Sequence, residues 1–286
     1  MEVNFIGCGK LGKVIAKLML QHKLIRVLGI LNSNYASSLD AAQYLGEGKA
    51  CSTYAELPQA QIYFITTPDF LIETTCSQLI KSKQNIPNGA IFVHCSGSVP
   101  SNALDAAKQC GGHVISIHPI KSFANPDLSV ANFAGTYCGY EGDELAVPII
   151  QALFSKLGAI VFKIDKESKS LYHAAGVLSN NYLVTLHYCA VKCYILSGVS
   201  PKIAAQLVNK LMLDALHNLS HLNHQQALTG PIQRGDVTTI VSHIQDLSID
   251  KNLQDLYQAL GKITLELTNH SQQVNDTLLN ILSAQP

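Results

Sequence analysis

Val3-Asn4-Phe5-Ile6-Gly7-Cys8-Gly9-Lys10-Leu11-Gly12 is an apolar run that ends in G-x-G-x-x-G. A strand that closes on this spacing and opens a helix can hold a dinucleotide pyrophosphate. Gly7 makes the tight turn, Gly9 lets backbone approach the phosphates, and Gly12 packs helix against strand at the positive end of the helix dipole. Cys8, Lys10 and Leu11 complete the loop assigned to the cofactor. The context agrees, since Leu11, Val14, Ile15, Leu18 and Met19 recur at helical spacing and Arg26 to Leu31 reads as a second strand. A glycine turn that binds nothing is the competing reading.

The end of that second strand separates the two nicotinamide cofactors, because a carboxylate there accepts from a ribose 2′-hydroxyl and repels a 2′-phosphate. The residues are Asn32, Ser33 and Asn34, short neutral groups that can donate to a phosphate. They predict NADP, with Lys10 and backbone amides as charge partners and no arginine alongside. A plain polar turn is the alternative.

Composition bounds the function. The 286 residues are 47% hydrophobic and 14% charged, enough for one large or two ordinary cores. Lys plus Arg and Asp plus Glu each number 20, so no basic face points to nucleic acid or anionic lipid and a small-molecule partner is expected. Eight cysteines lack a CxxC pair or a zinc spacing, which predicts reduced, mostly buried thiols and no metal. With no leader-like start and no apolar run of membrane-spanning length, the expected location is the cytoplasm.

Further strands are expected at Gln61 to Thr66, Ala90 to His94, His113 to His118, Gly135 to Cys138 and Ala159 to Lys163. Helices are expected at Ser37 to Leu45, from Asp69 as N-cap to about Lys83, and from Asp143 to Leu157. In a parallel sheet the carboxyl strand ends face the ligand, so Thr66, Thr67 and Pro68 are assigned to the nicotinamide ribose. Ser96 and Ser98, at the next strand end, suit a substrate carboxylate or carbonyl, or Ser98 caps the helix near Pro100. His118 and Lys121 stand at one more carboxyl end, where His118 is a candidate for chemistry and otherwise braces a turn.

Past Asp165 only helical periodicity remains, in Ser168 to Ser197, Pro201 to Leu219, Asp236 to Leu247, Asn252 to Thr268 and Gln272 to Leu282. The predicted division is a nucleotide-binding domain over residues 1–165 and an all-helical domain over residues 166–286. Within the first long helix His173, Gly176 and Asn180 fall at spacings of three and four, a polar stripe that needs a ligand or an internal hydrogen-bond ladder. Further on, Ala-Leu-Thr-Gly-Pro-Ile-Gln-Arg-Gly-Asp over Ala227 to Asp236 offers Thr229 and the carboxylate fork of Arg234, or is a turn with Asp236 as N-cap.

The glycine turn, Thr67-Pro68-Asp69, His94-Cys95-Ser96-Gly97-Ser98, Ile117-His118-Pro119 with Phe123, Tyr172-His173-Ala174-Ala175 with Ser179-Asn180-Asn181-Tyr182, and Leu228-Thr229-Gly230-Pro231 with Arg234-Gly235-Asp236 together resemble a family. It is the group of NADP-dependent oxidoreductases, formerly of unknown function, that join a Rossmann domain to a helical domain. The architecture is similar, more distantly, to 6-phosphogluconate and 3-hydroxyisobutyrate dehydrogenases, pyrroline-5-carboxylate reductase and ketopantoate reductase. The resemblance implies an α/β fold, an N-terminal Rossmann doubly wound parallel sheet followed by an all-α 6-phosphogluconate dehydrogenase-like domain. Within the group the chain resembles an alternative type of ketopantoate reductase, which implies NADPH reduction of 2-dehydropantoate in pantothenate synthesis. Reduction of an imino acid, or an NADP-binding regulator without chemistry, are the rival readings. Apolar helical faces and the habit of relatives predict a homodimer joined through the helical domains.

One departure matters. In the hydroxyacid dehydrogenases the helix reads K-x-x-N-N, and its lysine protonates the carbonyl oxygen. Aligning that asparagine pair on Asn180 and Asn181 puts Val177 at the lysine's place. His173, one turn earlier, is then the expected acid, with His118 as its rival, while Asn180 holds the substrate oxygen beside Asn181.

Overall fold

Short apolar runs buried on both faces make strands here, as Ile62–Ile65 and Ile91–His94 show by having every residue buried. The computed structural model describes residues 1–82 and 86–284. β1 (Glu2–Ile6), β2 (Arg26–Leu31), β3 (Lys49–Cys51), β4 (Ile62–Ile65), β5 (Ile91–His94), β6 (His113–Pro119), β7 (Tyr137–Gly142) and β8 (Ile160–Lys163) form one sheet in the order β3-β2-β1-β4-β5-β6-β7-β8. The strand order reverses between β1 and β4, the switch point at which a doubly wound sheet opens a crevice. Every pair is parallel except β6 with β7, where Ser116 faces Glu141 and His118 faces Gly139.

The strand alternation feeds two cores. Phe5, Phe64, Val93 and Ile115 point to one side, against Val14, Ile15 and Met19 of α1 (Lys10–Gln21). Ile6, Tyr63, Phe92 and Val114 point to the other with Cys76 and Leu79. Stacked rings tie neighbouring strands on each side, Phe5 on Phe64 at 5.0 Å and Tyr63 on Phe92 at 4.9 Å. Covering helices are α2 (Tyr35–Leu45), α3 (Ile72–Ser82), α4 (Asp105–Gln109), α5 (Pro126–Ala131) and α6 (Val147–Lys156).

Several expectations need correction. β3 was not anticipated, being three residues with a lysine at the sheet edge. β7 is expected to end at Cys138 but runs to Gly142, because the Glu141 carboxylate that interrupts its apolar pattern is buried against a lysine. Asp69 is not a helix cap: it begins a 3₁₀ turn, Asp69–Leu71, and its carboxylate accepts from Ser98. Lys83, the expected end of α3, lies outside the described residues. α6 starts later than Asp143, whose carboxylate instead takes the Val114 amide and the Lys108 ammonium.

The chain forms two compact units, the first ending at Ser179 and the second beginning at Asn180. The first therefore includes α7 (Lys169–Gly176), beyond the Asp165 at which strand patterning stops. The long helix expected over Ser168 to Ser197 is not uniform, since Val177–Asn181 is a π turn before α8 (Tyr182–Leu196). A π turn adds a residue to the winding, so the 3.6-residue period that would put His173 and Asn180 on one face does not carry through it.

Among the described residues the second unit is all helix: α8, α9 (Pro201–Leu219), α10 (His224–Ala227), α11 (Pro231–Arg234), α12 (Val237–Leu247), α13 (Lys251–Leu265) and α14 (Gln272–Ser283). Ile240, Leu278 and Leu282 form its buried core, with Val237, Ile244 and Val274 packed around them. Asp250 caps α13 and pairs with Lys192 of α8. No residue of the apolar α8 is buried, and Val184 and Tyr188 are 68% and 63% exposed.

Candidate active site

β1 ends in a backbone that only glycine permits. Gly7 has φ +80°, and a Cβ there would stand 2.7 Å from the Thr67 amide nitrogen. A Cβ at Gly12 would lie 2.7 Å from Thr66 Oγ1, which donates to the Gly7 carbonyl at 3.0 Å. At Gly9 the added carbon would meet nothing nearer than 3.8 Å, so this face is open to a ligand. Gly9 is also the N-cap of α1 and brings no side-chain cap, which leaves the first amides of the helix for an anion. Cys8 contributes backbone alone, its thiol buried and pushed up to about 12 by that burial. Lys10 is exposed on the first turn of α1, and Leu11 packs against the core.

From this turn a cavity of about 570 Å³ extends along Gly7, Gly9, Asn32, Ser33, Thr67 and Pro68. Two buried oxygens on its lining, Thr67 Oγ1 and Asn32 Oδ1, have no hydrogen-bond partner among the described residues. An orphaned buried oxygen costs about 1–3 kcal/mol unless a ligand satisfies it. These residues fit a dinucleotide with ribose hydroxyls and phosphates. Asn34 is engaged elsewhere, as N-cap of α2, and does not line the cavity. Tyr54 and Gln78 do line it, hydrogen-bonded to each other at 3.1 Å, and sequence reasoning missed them because it missed β3, from which the Tyr54 turn leads.

The chemistry-bearing groups collect at the ends of β5 and β6. His94 anchors both ends of the loop that follows it: its Nδ1 accepts the Ser96 amide at 3.2 Å and its Nε2 donates to the Pro100 carbonyl at 3.3 Å. Burial first, then the charge of Lys169, lowers this imidazole to about 3. Ser96 is buried with its hydroxyl accepting the Ser98 and Val99 amides, so it shapes the turn. Ser98 donates to Asp69 Oδ2 at 2.9 Å, and it does not cap the helical turn that follows, Ser101–Leu104. Gly97 lies under two imidazoles. A Cβ there would be 2.7 Å from His118 Cε1 and 2.8 Å from His173 Cδ2, so only glycine lets both rings close over the loop.

His118 and His173 stand 6.3 Å apart between ring centres. His118 Nδ1 is 2.9 Å from the Tyr172 hydroxyl. Burial, then the neighbouring His173 and Lys169 charges, pushes His118 down to about 4, so its ring is neutral near pH 7. The phenol of Tyr172 is pushed up to about 12, chiefly by burial. Behind them Lys169, only 1% exposed, donates to Ser116 Oγ and to Glu141 Oε1 at 3.1 Å, while Glu141 also accepts from the Ser101 amide and hydroxyl. Desolvation lowers the Lys169 pKa and Glu141 opposes the shift.

The structure brings together His118 and His173, both named from the sequence, and sets near them Asp69, Lys169 and Glu141, which the sequence reading does not assign to a site. A signal was present for Lys169, which precedes Tyr172 and His173 by three and four residues and so shares their face. Lys121 lies just past β6 and is half-buried. In the second unit Asn180 and Asn181 are exposed in the π turn, and Thr229 and Arg234 are exposed around α11. Asp236 caps α12 through Thr239, as the plain reading of that loop has it. Among the described residues no metal-ligand cluster occurs and no helix is long and apolar enough to cross a membrane.

A family model described as a domain of unknown function (DUF2520) matches residues 136–264. No curated protein matches the chain by sequence. Among solved structures, protein TM1727 of Thermotoga maritima is 27% identical with a TM-score of 0.71, over 96% of this chain and 98% of that one. A Bacteroides fragilis protein described as an NADP oxidoreductase is 22% identical with a TM-score of 0.70, over 93% and 98%. The 1-pyrroline-5-carboxylate reductase of Streptococcus pyogenes is 16% identical with a TM-score of 0.61, over 93% and 98%. The fold of this chain is that of these proteins, a Rossmann sheet followed by helices.

Proposed function

We propose that the chain is an NADPH-dependent reductase of a small branched 2-oxo acid, 2-dehydropantoate, which it converts to pantoate. The observation that carries the reading is the pair His118 and His173 closing over Gly97 at the carboxyl ends of β5 and β6, together with a cavity of about 570 Å³ at the glycine turn that carries two orphaned oxygens. Chemistry in doubly wound sheets collects at that edge. Gly7, Gly9 and Gly12 hold the pyrophosphate by backbone, Thr66, Thr67 and Pro68 border the nicotinamide ribose, and Asn32 and Ser33 take the adenosine ribose with its 2′-phosphate. When bound, NADPH supplies a hydride.

The protein's own groups position the substrate and move the proton. His173 delivers a proton to the carbonyl oxygen as it gains charge, and neutral His118 donates a hydrogen bond to the same oxygen. Lys121 binds the carboxylate, and Ser98, whose hydrogen goes to Asp69, accepts from the substrate hydroxyl on a turn shaped by Ser96. Thr229, Arg234, Asn180 and Asn181 are further candidate substrate ligands by residue chemistry, with Arg234 as a carboxylate fork. The exposed apolar face of α8 supports a homodimer through the helical domains.

A second reading, reduction of an imino acid, is favoured by Val177 at the place of the usual lysine and by the lowered His118 pKa, because an imine arrives already protonated. NADPH turnover across 2-oxo acids and cyclic imines separates the two. The first reading expects the highest kcat/KM with 2-dehydropantoate. Highest turnover with pyrroline-5-carboxylate would replace it with the second, and turnover of neither class would leave an NADP-binding protein without this chemistry.

A further inference from the structure

Tyr172 has no role assigned from the sequence beyond its place in the motif Tyr172-His173-Ala174-Ala175, yet among the described residues it is the hydrogen-bond partner of the His118 ring. Its phenol meets the imidazole edge to face, with ring centres 5.7 Å apart and planes at 87°. The hydroxyl sits directly over Gly139 of β7, where a Cβ would stand 2.7 Å from the oxygen, and the Gly139 amide hydrogen-bonds that oxygen. The position of the phenol is thus fixed by a strand residue with no side chain.

We propose that Tyr172 is a positioning residue that locks His118 in the tautomer with its proton on Nε2, presenting a neutral N–H donor to the substrate oxygen. A phenol oxygen already supported by an amide must place its own hydrogen on an acceptor. Among the described residues that acceptor is His118 Nδ1, at 2.9 Å. A neutral imidazole that accepts at Nδ1 carries its hydrogen on Nε2. His118 Nε2 has no protein partner among the described residues, in contrast to His94, whose Nε2 hydrogen goes to the Pro100 carbonyl. Lys169 and His173 on α7 face the ring, and a positive charge on either opposes a second proton; among the described residues Asp69, on the turn after β4, favours it. The inference deepens the reductase reading by giving the neutral histidine its direction, and it rests on that reading only for what the N–H touches.

The test is long-range ¹H–¹⁵N correlation of ¹⁵N-histidine-labelled protein near pH 7 without substrate, with the His118 signals assigned by their loss in H118Q. The proposal expects the Nε2–H pattern in wild type and a mixture of both tautomers in Y172F, whose packing is otherwise preserved. In turnover, Y172F should lower kcat roughly tenfold while KM stays within about twofold. A wild-type proton on Nδ1 overturns the proposal, as does a Y172F spectrum unchanged from wild type. Should Y172F fail to fold, the wild-type spectrum alone decides. Because the spectra need no substrate, loss of the reductase reading and loss of the tautomer are separate outcomes.

Discussion

His173 and His118 share one glycine-sized opening but have different partners. His118 is tied to Tyr172 and kept neutral, whereas His173, whose ring edge lies over Gly97, has no hydrogen-bond partner among the described residues. The proposed division of labour follows: His173→Ala should lower kcat roughly 100-fold or more with cofactor affinity nearly unchanged. If His118→Ala instead shows the large kcat loss, the roles are reversed. Cofactor choice is also a residue-scale matter, since Asn32 and Ser33 line the cavity where an NAD enzyme carries an acid. NADPH should bind at least about tenfold tighter than NADH, about 1.4 kcal/mol, and Ser33→Asp should narrow or invert the ratio. Equal affinities by titration would contradict the NADP assignment.

At the scale of elements, α7 is fastened to β6 and β7 by one buried charge pair. Lys169 and Glu141 are 1% and 3% exposed, and each has further hydroxyl partners in Ser116 and Ser101. Removing one partner leaves the other charge buried and alone, so Lys169→Met should destabilise by about 3–5 kcal/mol, while Lys169→Met with Glu141→Gln should recover a large part of the loss. Thermal or denaturant unfolding reads both, and a single variant as stable as wild type would show that the pair does not hold α7. This network also explains what was hard to read. Glu141 and Gly142 break the apolar pattern of β7, and the lysine that makes a buried glutamate tolerable lies on the next helix but one. The π turn Val177–Asn181 left no trace in residue spacing, because its extra residue is invisible to a periodicity argument built on 3.6. By contrast β1, β2, α1 and α9 were legible, since their apolar spacing and their glycine and proline boundaries are local properties.

At the scale of the whole molecule, the fold was readable because the glycine turn dictates a switch point and the loss of strand pattern after Asp165 marks the change to helices. The candidate site was half readable: His118 at a strand end and His173 on a helix with few other polar groups stand out, whereas the Asp69–Ser98 bond and the Tyr172–His118 bond join segments 29 and 54 residues apart. Exposed apolar side chains on α8 and α9, among them Val184, Tyr188, Leu211 and Leu213, are unusual for a lone chain. A homodimer through these helices should give twice the 30.9 kDa chain mass by light scattering at micromolar concentration. Monomer mass would count against it, and Val184→Lys should convert dimer to monomer. The central claim is hydride delivery to the carbonyl carbon of a small 2-oxo acid, and deuterium transfer tests it most directly. NADPH carrying deuterium on the transferable position of the nicotinamide is incubated with 2-dehydropantoate and the chain, and the product is weighed by mass spectrometry. The account predicts pantoate carrying one deuterium at C2, formed as fast as NADPH disappears; unlabelled product, or no NADPH consumption while both ligands are bound, would contradict it.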